Sequence, residues 1–318
     1  VYGLINPLDT THYIKINKAF LGEASALDLA ADADNFNYAA SELSVRLEGN
    51  GKNYTLTRVT DEIPKDAGIF DNATNVLYKF TEEEINRNAP YTLTIVNTQT
   101  EKEITATTNI VGHSNVTSPK ITNTLGFWSG NVSSGNAVSE TISVTAGENI
   151  GRIQAYVVFN YIEHYTQASG KDPVHKRVLI NLGEEKVAGS SELDLNYLLE
   201  GQTFFDNISR KVPDPTTIAH FSHREMDNIS IELSVAGSEL STYMEAKAPS
   251  TSVNQDKPSY TNVTNGIGVF SSRIYDASWK SNKTKDNGLN MDNDTKRKLG
   301  SLGFCLGTNA TATNPCPY

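Results

Sequence analysis

RIQAYVVFNYIEHYT, residues 152–166, is the stretch that decides the fold. Ile153, Ala155, Val157, Phe159 and Tyr161 recur at every second position. In extended backbone they share one face, whereas a helix would scatter them around its axis. The run therefore predicts a long strand with one side in a core. Val178, Ile180 and Leu182 repeat the period after a Gly- and Pro-containing turn at 170–173, which predicts a hairpin. Ile229, Ile231, Leu233 and Val235 predict a further strand, as do Val138, Ile142 and Val144, and Ile267 with Val269.

The same pattern governs the first third. Leu43, Val45 and Leu47 alternate with polar residues, and Asn50-Gly51 follows at once, a strong hairpin signal. Tyr54 and Leu56 continue on the return. Tyr91, Leu93 and Ile95 alternate, as do Ile104, Ala106, Thr108 and Ile110. The approach Asn88-Ala89-Pro90-Tyr91 resembles that to the second-last strand of immunoglobulin or fibronectin-III modules, with Tyr91 as a corner tyrosine that holds a loop by its hydroxyl. Helical signals are short. Thr81 with Glu84 makes a capping box, and the acidic run Glu82 to Glu84 reads as a solvated capped turn or as a metal site. Ser191 caps a segment carrying Leu195, Leu198 and Leu199, and residues 238–246 and 294–302 make two more. The polar stretch 112–120 is the expected boundary. Residues 1–112 read as an immunoglobulin-like antiparallel sandwich, and residues 113–318 as a larger antiparallel β domain, sandwich or barrel, with a few short helices.

With 318 residues, 38% of them hydrophobic and 20% charged, the chain can bury two cores. The net charge is −10, and the most basic run, Lys296-Arg297-Lys298, is preceded by Asp292 and Asp294. This excludes the clustered cations that nucleic acid or an anionic membrane surface requires. No run reaches the roughly 20 apolar residues of a spanning helix. The chain begins at Val1, as expected of a mature or trimmed form whose export signal has been removed. Cys305 and Cys316, with Gly307 and Pro315 between them, predict a disulfide closing a C-terminal loop in an oxidising compartment, against two free thiols.

Chemistry-bearing clusters are few. His220 and His223, near Glu225, would share a face on a helix and hold a metal, with His164 or His175 as a third ligand, but the zincin spacing is absent and the segment leads into a strand. Asp28, Asp32 and Asp34, and Asp286, Asp292 and Asp294, suit calcium or solvated loops, without EF-hand order. Gly266-Ile267-Gly268 lacks the rest of a dinucleotide fingerprint and reads as a turn or bulge that lets backbones approach. Trp128, Tyr165 and Trp279 are candidate ligand-stacking aromatics or core residues. No catalytic residue and no cofactor is assigned.

Three stretches carry a family resemblance. They are NPLDTTHYIKINKAFLGEAS at 6–25, YTLTIVNTQTEKEITATTNIV at 91–111, and the region from Ile229 to Phe270 with its NVTNGIGVFSSR run. Together they resemble a family of uncharacterised Bacteroidetes cell-envelope lipoproteins with an N-terminal immunoglobulin-like domain. The resemblance implies export, a lipid on an N-terminal cysteine that this chain lacks, and association with TonB-dependent receptors. It transfers no functional residue. The expectation is a non-catalytic envelope lipoprotein, outer-membrane-anchored and facing the periplasm or the cell surface. It would bind a glycan or peptide ligand, or a partner, as an accessory to TonB-dependent nutrient uptake, meeting the membrane only through its lipid. A structural or adhesive surface protein is the alternative, and a secreted hydrolase a third.

Overall fold

Period-two burial at 43–49 and 91–108 builds a β-sandwich. The structure, a computed structural model, describes residues 1–19, 25–66, 74–120, 122–187, 192–248, 259–278, 288–306 and 315–317. The chain opens with β1 (Tyr2–Ile5), β2 (Thr11–Lys15) and the short helices α1 (Ala26–Ala30) and α2 (Ala33–Phe36). There follow β3 (Leu43–Gly49), β4 (Lys52–Thr55), β5 (Thr57–Thr60), β6 (Val76–Thr81), β7 (Tyr91–Asn97) and β8 (Glu103–Thr108). One layer is β8–β7–β3–β4 and the other is β1–β2–β6–β5. Asn50 and Gly51 take φ of 52° and 70°, the left-handed pair that a two-residue hairpin between β3 and β4 demands. Val45, Leu47, Leu93 and Ile95 from one layer meet Ile5, Ile14, Tyr78 and Phe80 from the other. Each such side chain contributes about 1.5–3 kcal/mol by leaving water.

The remaining elements are β9 (Asn115–Ser118), β10 (Thr124–Leu125), β11 (Trp128–Ser129), β12 (Asn136–Ala137), β13 (Glu140–Ala146) and β14 (Ile150–Tyr165). Next come β15 (Val174–Lys186), β16 (Leu193–Leu199), α3 (Gly201–Lys211), β17 (Phe221–Gly237) and α4 (Ser238–Lys247). The chain closes with β18 (Val263–Thr264), β19 (Val269–Ser278), β20 (Asn290–Met291), α5 (Asn293–Gly300) and β21 (Phe304–Cys305). The hairpin expected from the opening stretch is β14–β15, and β14 pairs along its other edge with β17. Its inward face, Ile153, Ala155, Val157 and Phe159, packs with Ile142 and Val144 of β13, Tyr197 of β16, and Phe204 and Ile208 of α3. The fold is mainly β, and its large sheet is open rather than closed into a barrel.

Several expectations are corrected. Not every pairing is antiparallel: β1 runs parallel to β19, and β21 to β17. Through β1 and β19 one sheet runs continuously from β15 to β5. Val263 and Phe270 return to complete the core of the first sandwich, and β18 pairs with β8. The segment expected as a helix at 191–199 is β16; Ser191 itself lies outside the described residues. Tyr197 and Leu199 alternate into the core while Leu198 is exposed, because β13 offers a full-length antiparallel edge that outweighs helical spacing. Residues 201–211, given no helix by the sequence reading, form α3. Ile267 is 78% exposed and falls in the turn before β19. There Gly268, at φ 138°, lets the Val1 carbonyl approach to 1.7 Å from where a Cβ would sit, as the Gly-x-Gly reading anticipated.

Candidate functional site

The 82–90 loop between β6 and β7 forms one wall of a cleft. Tyr91, buried at the start of β7, accepts a hydrogen bond from the Asn86 backbone N–H at 3.1 Å. Its ring lies against Gly49, the cross-strand partner, where an added Cβ would come within 2.2 Å of it. The corner-tyrosine reading is thus realised. The loop is held further by Asn86 Nδ2 donating to Asn50 Oδ1 at 2.7 Å. Opposite stand residues 112–115 and 147–149, tied together by Gly112 N–H to the Glu148 carbonyl at 2.7 Å. Asn149 Nδ2 donates to the Ile110 carbonyl at 3.2 Å and joins them to the end of the sandwich.

Between these walls is a cleft of about 1080 Å³. Lys52, Asn86, Arg87 and Asn88 line one side; His113, Asn115, Glu148 and Asn149 line the other. No Phe, Tyr or Trp is among its described lining residues, so it offers amides, carboxylates and cations rather than a stacking surface. Glu82 at the rim accepts from the Tyr54 hydroxyl and from Lys52 Nζ, the latter at 2.9 Å, which holds its carboxyl below the usual range. Arg87 differs: burial pushes its guanidinium pKa down, and Nη1 finds no hydrogen-bond partner among the described residues. A buried donor left so is expensive, about 1–3 kcal/mol or more for a charged group.

The histidine cluster lies elsewhere, at the far end of the β14–β17 pair. His164 and His223 are cross-strand neighbours with rings stacked at 4.4 Å, and His164 Nε2 is 2.9 Å from Glu225 Oε2. Burial, and then His164, push the His223 pKa down. On the opposite face Arg224 Nε meets Glu163 Oε1 at 3.3 Å, both side chains 4% exposed, and Arg224 Nη2 donates to the Pro213 carbonyl at 2.6 Å. The expected disulfide between Cys305 and Cys316 is formed, with Cα atoms 4.9 Å apart. Among the described residues the group of three potential ligand atoms mutually within 4.8 Å is that of His223, Cys305 and Cys316. His220 is not in it; it sits at φ 62° in the turn before β17, and the segment's helical reading gives way to a strand.

The aromatics are engaged in packing. Trp128 is 8% exposed, donates its indole N–H to the Asn131 carbonyl at 3.0 Å, and carries Lys298 Nζ over its ring at 4.1 Å. Tyr165 is half-buried, with Lys171 Nζ above its ring at 5.4 Å. Trp279 lies outside the described residues. The aspartates expected as calcium candidates act locally: Asp32 and Asp292 cap α2 and α5, Ser25 caps α1 beside Asp28, and Asp286 lies outside the described residues. The sequence reading missed Arg87 and the cleft. The available signal was the polar 82–90 loop directly before a corner tyrosine.

No protein-family model matches this chain, and no curated protein does. Among solved structures, a match is the C-terminal globular domain of an oligosaccharyltransferase from Pyrococcus abyssi, 12% identical, with a TM-score of 0.24. It covers 74% of this chain, which spans 42% of that one. Among the described residues no helix is long and apolar enough to cross a membrane.

Proposed function

We propose that this chain is a non-catalytic binding protein of the cell envelope that seats a polar ligand, a glycan or a peptide, in the cleft beside the 82–90 loop. The observation that carries the reading is Arg87, a half-buried cation that lines a cleft of about 1080 Å³ and whose buried Nη1 has no hydrogen-bond partner among the described residues. A ligand carboxylate or hydroxyl cluster reaching the accessible side of that guanidinium would give its charge a partner. Preorganisation supports it: Tyr91, Asn50 and the 112–148 clasp fix both walls before any ligand arrives. The disulfide supports an oxidising, extracytoplasmic setting. Anchoring at the outer membrane through an N-terminal lipid, and service to a TonB-dependent receptor, rest on the resemblance in sequence and belong to the same proposal.

The test is titration calorimetry of the chain against panels of oligosaccharides and short peptides, repeated with Arg87→Ala. Binding is expected to weaken at least tenfold in the variant, since truncating one partner of a buried charged contact costs about 2–5 kcal/mol. Silence across both panels, or a binder indifferent to Arg87→Ala, would overturn the reading.

A further inference from the structure

We infer that Cys305, Cys316 and His223 form a zinc site when the disulfide between the two cysteines is reduced. The three ligand atoms already lie within 4.8 Å of one another. Zinc prefers thiolate sulfur and imidazole nitrogen in a tetrahedral set, and its S···S and S···N edges are about 3.5–4 Å, as Zn–S and Zn–N bonds of about 2.3 and 2.0 Å require. The sulfur-to-nitrogen separations exceed that edge by no more than about an ångström, and the two sulfurs, bonded to each other in the oxidised chain, move apart to it once the bond is broken.

Two of the three ligands are held by the sheet, independently of the disulfide. β21 pairs in parallel with β17, Phe304 opposite Arg224 and Cys305 opposite Glu225, so Cys305 stays beside the strand that bears His223. Phe304 anchors that pairing, fully buried and edge-on to Phe159 and Tyr161 at 5.2 and 5.4 Å. Cys305 Sγ lies 3.1 Å from the Arg224 carbonyl, which accepts from the thiol once it is reduced. Only Cys316 depends on the tail. His164 stacks on the His223 ring and Glu225 lies beside His164, so further polar groups adjoin the three ligands.

The chemistry balances with a phosphine as reductant. The S–S bond breaks, two thiols form, and the phosphine leaves as its oxide with oxygen from water. Zn²⁺ then takes two thiolates and the neutral imidazole and releases two protons. The C-terminal hook thus has two closed states, covalent under oxidising conditions and zinc-bound under reducing ones.

The experiment uses the full chain, oxidised or reduced with a phosphine, desalted anaerobically and titrated with Co²⁺ as a spectroscopic stand-in and then with Zn²⁺. The reduced chain is expected to bind one Co²⁺ with a thiolate-to-cobalt charge-transfer band that Zn²⁺ abolishes, and Zn²⁺ is expected to raise its thermal midpoint. The oxidised chain should show neither effect. His223→Ala, whose disulfide and circular dichroism are checked in the oxidised state, should weaken metal binding of the reduced chain at least tenfold. Equal binding by oxidised and reduced chains, an indifferent His223→Ala, or a reduced chain that Zn²⁺ neither stabilises nor refolds would each overturn the assignment.

Discussion

Replacing Glu163 by Gln should destabilise the fold by about 3 kcal/mol or more, because it leaves the Arg224 guanidinium in the interior without its counter-charge. Both side chains are 4% exposed and meet at 3.3 Å. At an effective dielectric constant of about 20 their Coulomb attraction is about 5 kcal/mol, enough to offset much of the several kcal/mol that each ion loses on leaving water. The glutamine amide keeps the shape and removes the charge. Arg224 then retains the Pro213 carbonyl, the Phe221 ring and the exposed Asp214 carboxylate in its vicinity, none of which replaces a buried counter-charge. The loss of about 3 kcal/mol is a fall of more than a hundredfold in the folding constant. The double variant Glu163→Leu with Arg224→Met removes both charges and should return to within about 1 kcal/mol of the parent, since buried ion pairs give way to apolar pairs at little cost. Urea denaturation at pH 7, followed by tryptophan fluorescence, measures both; Trp128 belongs to the core cluster beside this pair's strands. A loss under about 1 kcal/mol for Glu163→Gln, or a double variant less stable than the single, would refute the electrostatic account.

Three more expectations follow from the sandwich. Tyr91→Phe removes the hydroxyl that takes the Asn86 N–H and should cost about 1–2 kcal/mol in urea melts, with weaker binding at the adjacent cleft. Gly49→Ala drives a methyl to 2.2 Å from the Tyr91 ring and should cost about 1–3 kcal/mol by overpacking; an unchanged melting temperature would show that β3 and β7 can separate freely. His12, buried and stacked on Phe80 at 4.7 Å, has a pKa pushed below its ordinary 6.5 by burial, with Asp9 and Glu82 opposing. The unfolded chain therefore gains a proton at a pH where the folded chain does not. Stability is full above about pH 6.5 and falls as the pH drops from there toward the folded-state pKa. His12→Phe should flatten part of that slope in melts from about pH 7.5 to 5, leaving the share of His223, whose pKa is also lowered; an unaltered slope would exonerate His12.

Period-two alternation specified β3, β7, β8, β14, β15 and β17 locally, since a strand's two faces are written in its own residues. Asn50-Gly51 specified a hairpin for the same reason: only residues tolerant of positive φ make that turn. The two cysteines specified a closed tail. The sequence by itself could not say that β1 would run parallel to β19, or that Val263 and Phe270 would fill a core begun by residues 5–110, because such partners are chosen by the shape and edge hydrogen bonds of strands far apart along the chain. It misassigned 193–199, where leucines satisfy both periods and only the waiting edge of β13 decides. The sites depended on tertiary structure most of all. Arg87 is an ordinary loop arginine until the packing of β6, β7 and the 112–148 clasp buries part of it, and His223 gains two sulfur neighbours only through the parallel docking of β21 on β17. Burial and proximity arise from the whole assembly, whereas periodicity belongs to each segment alone.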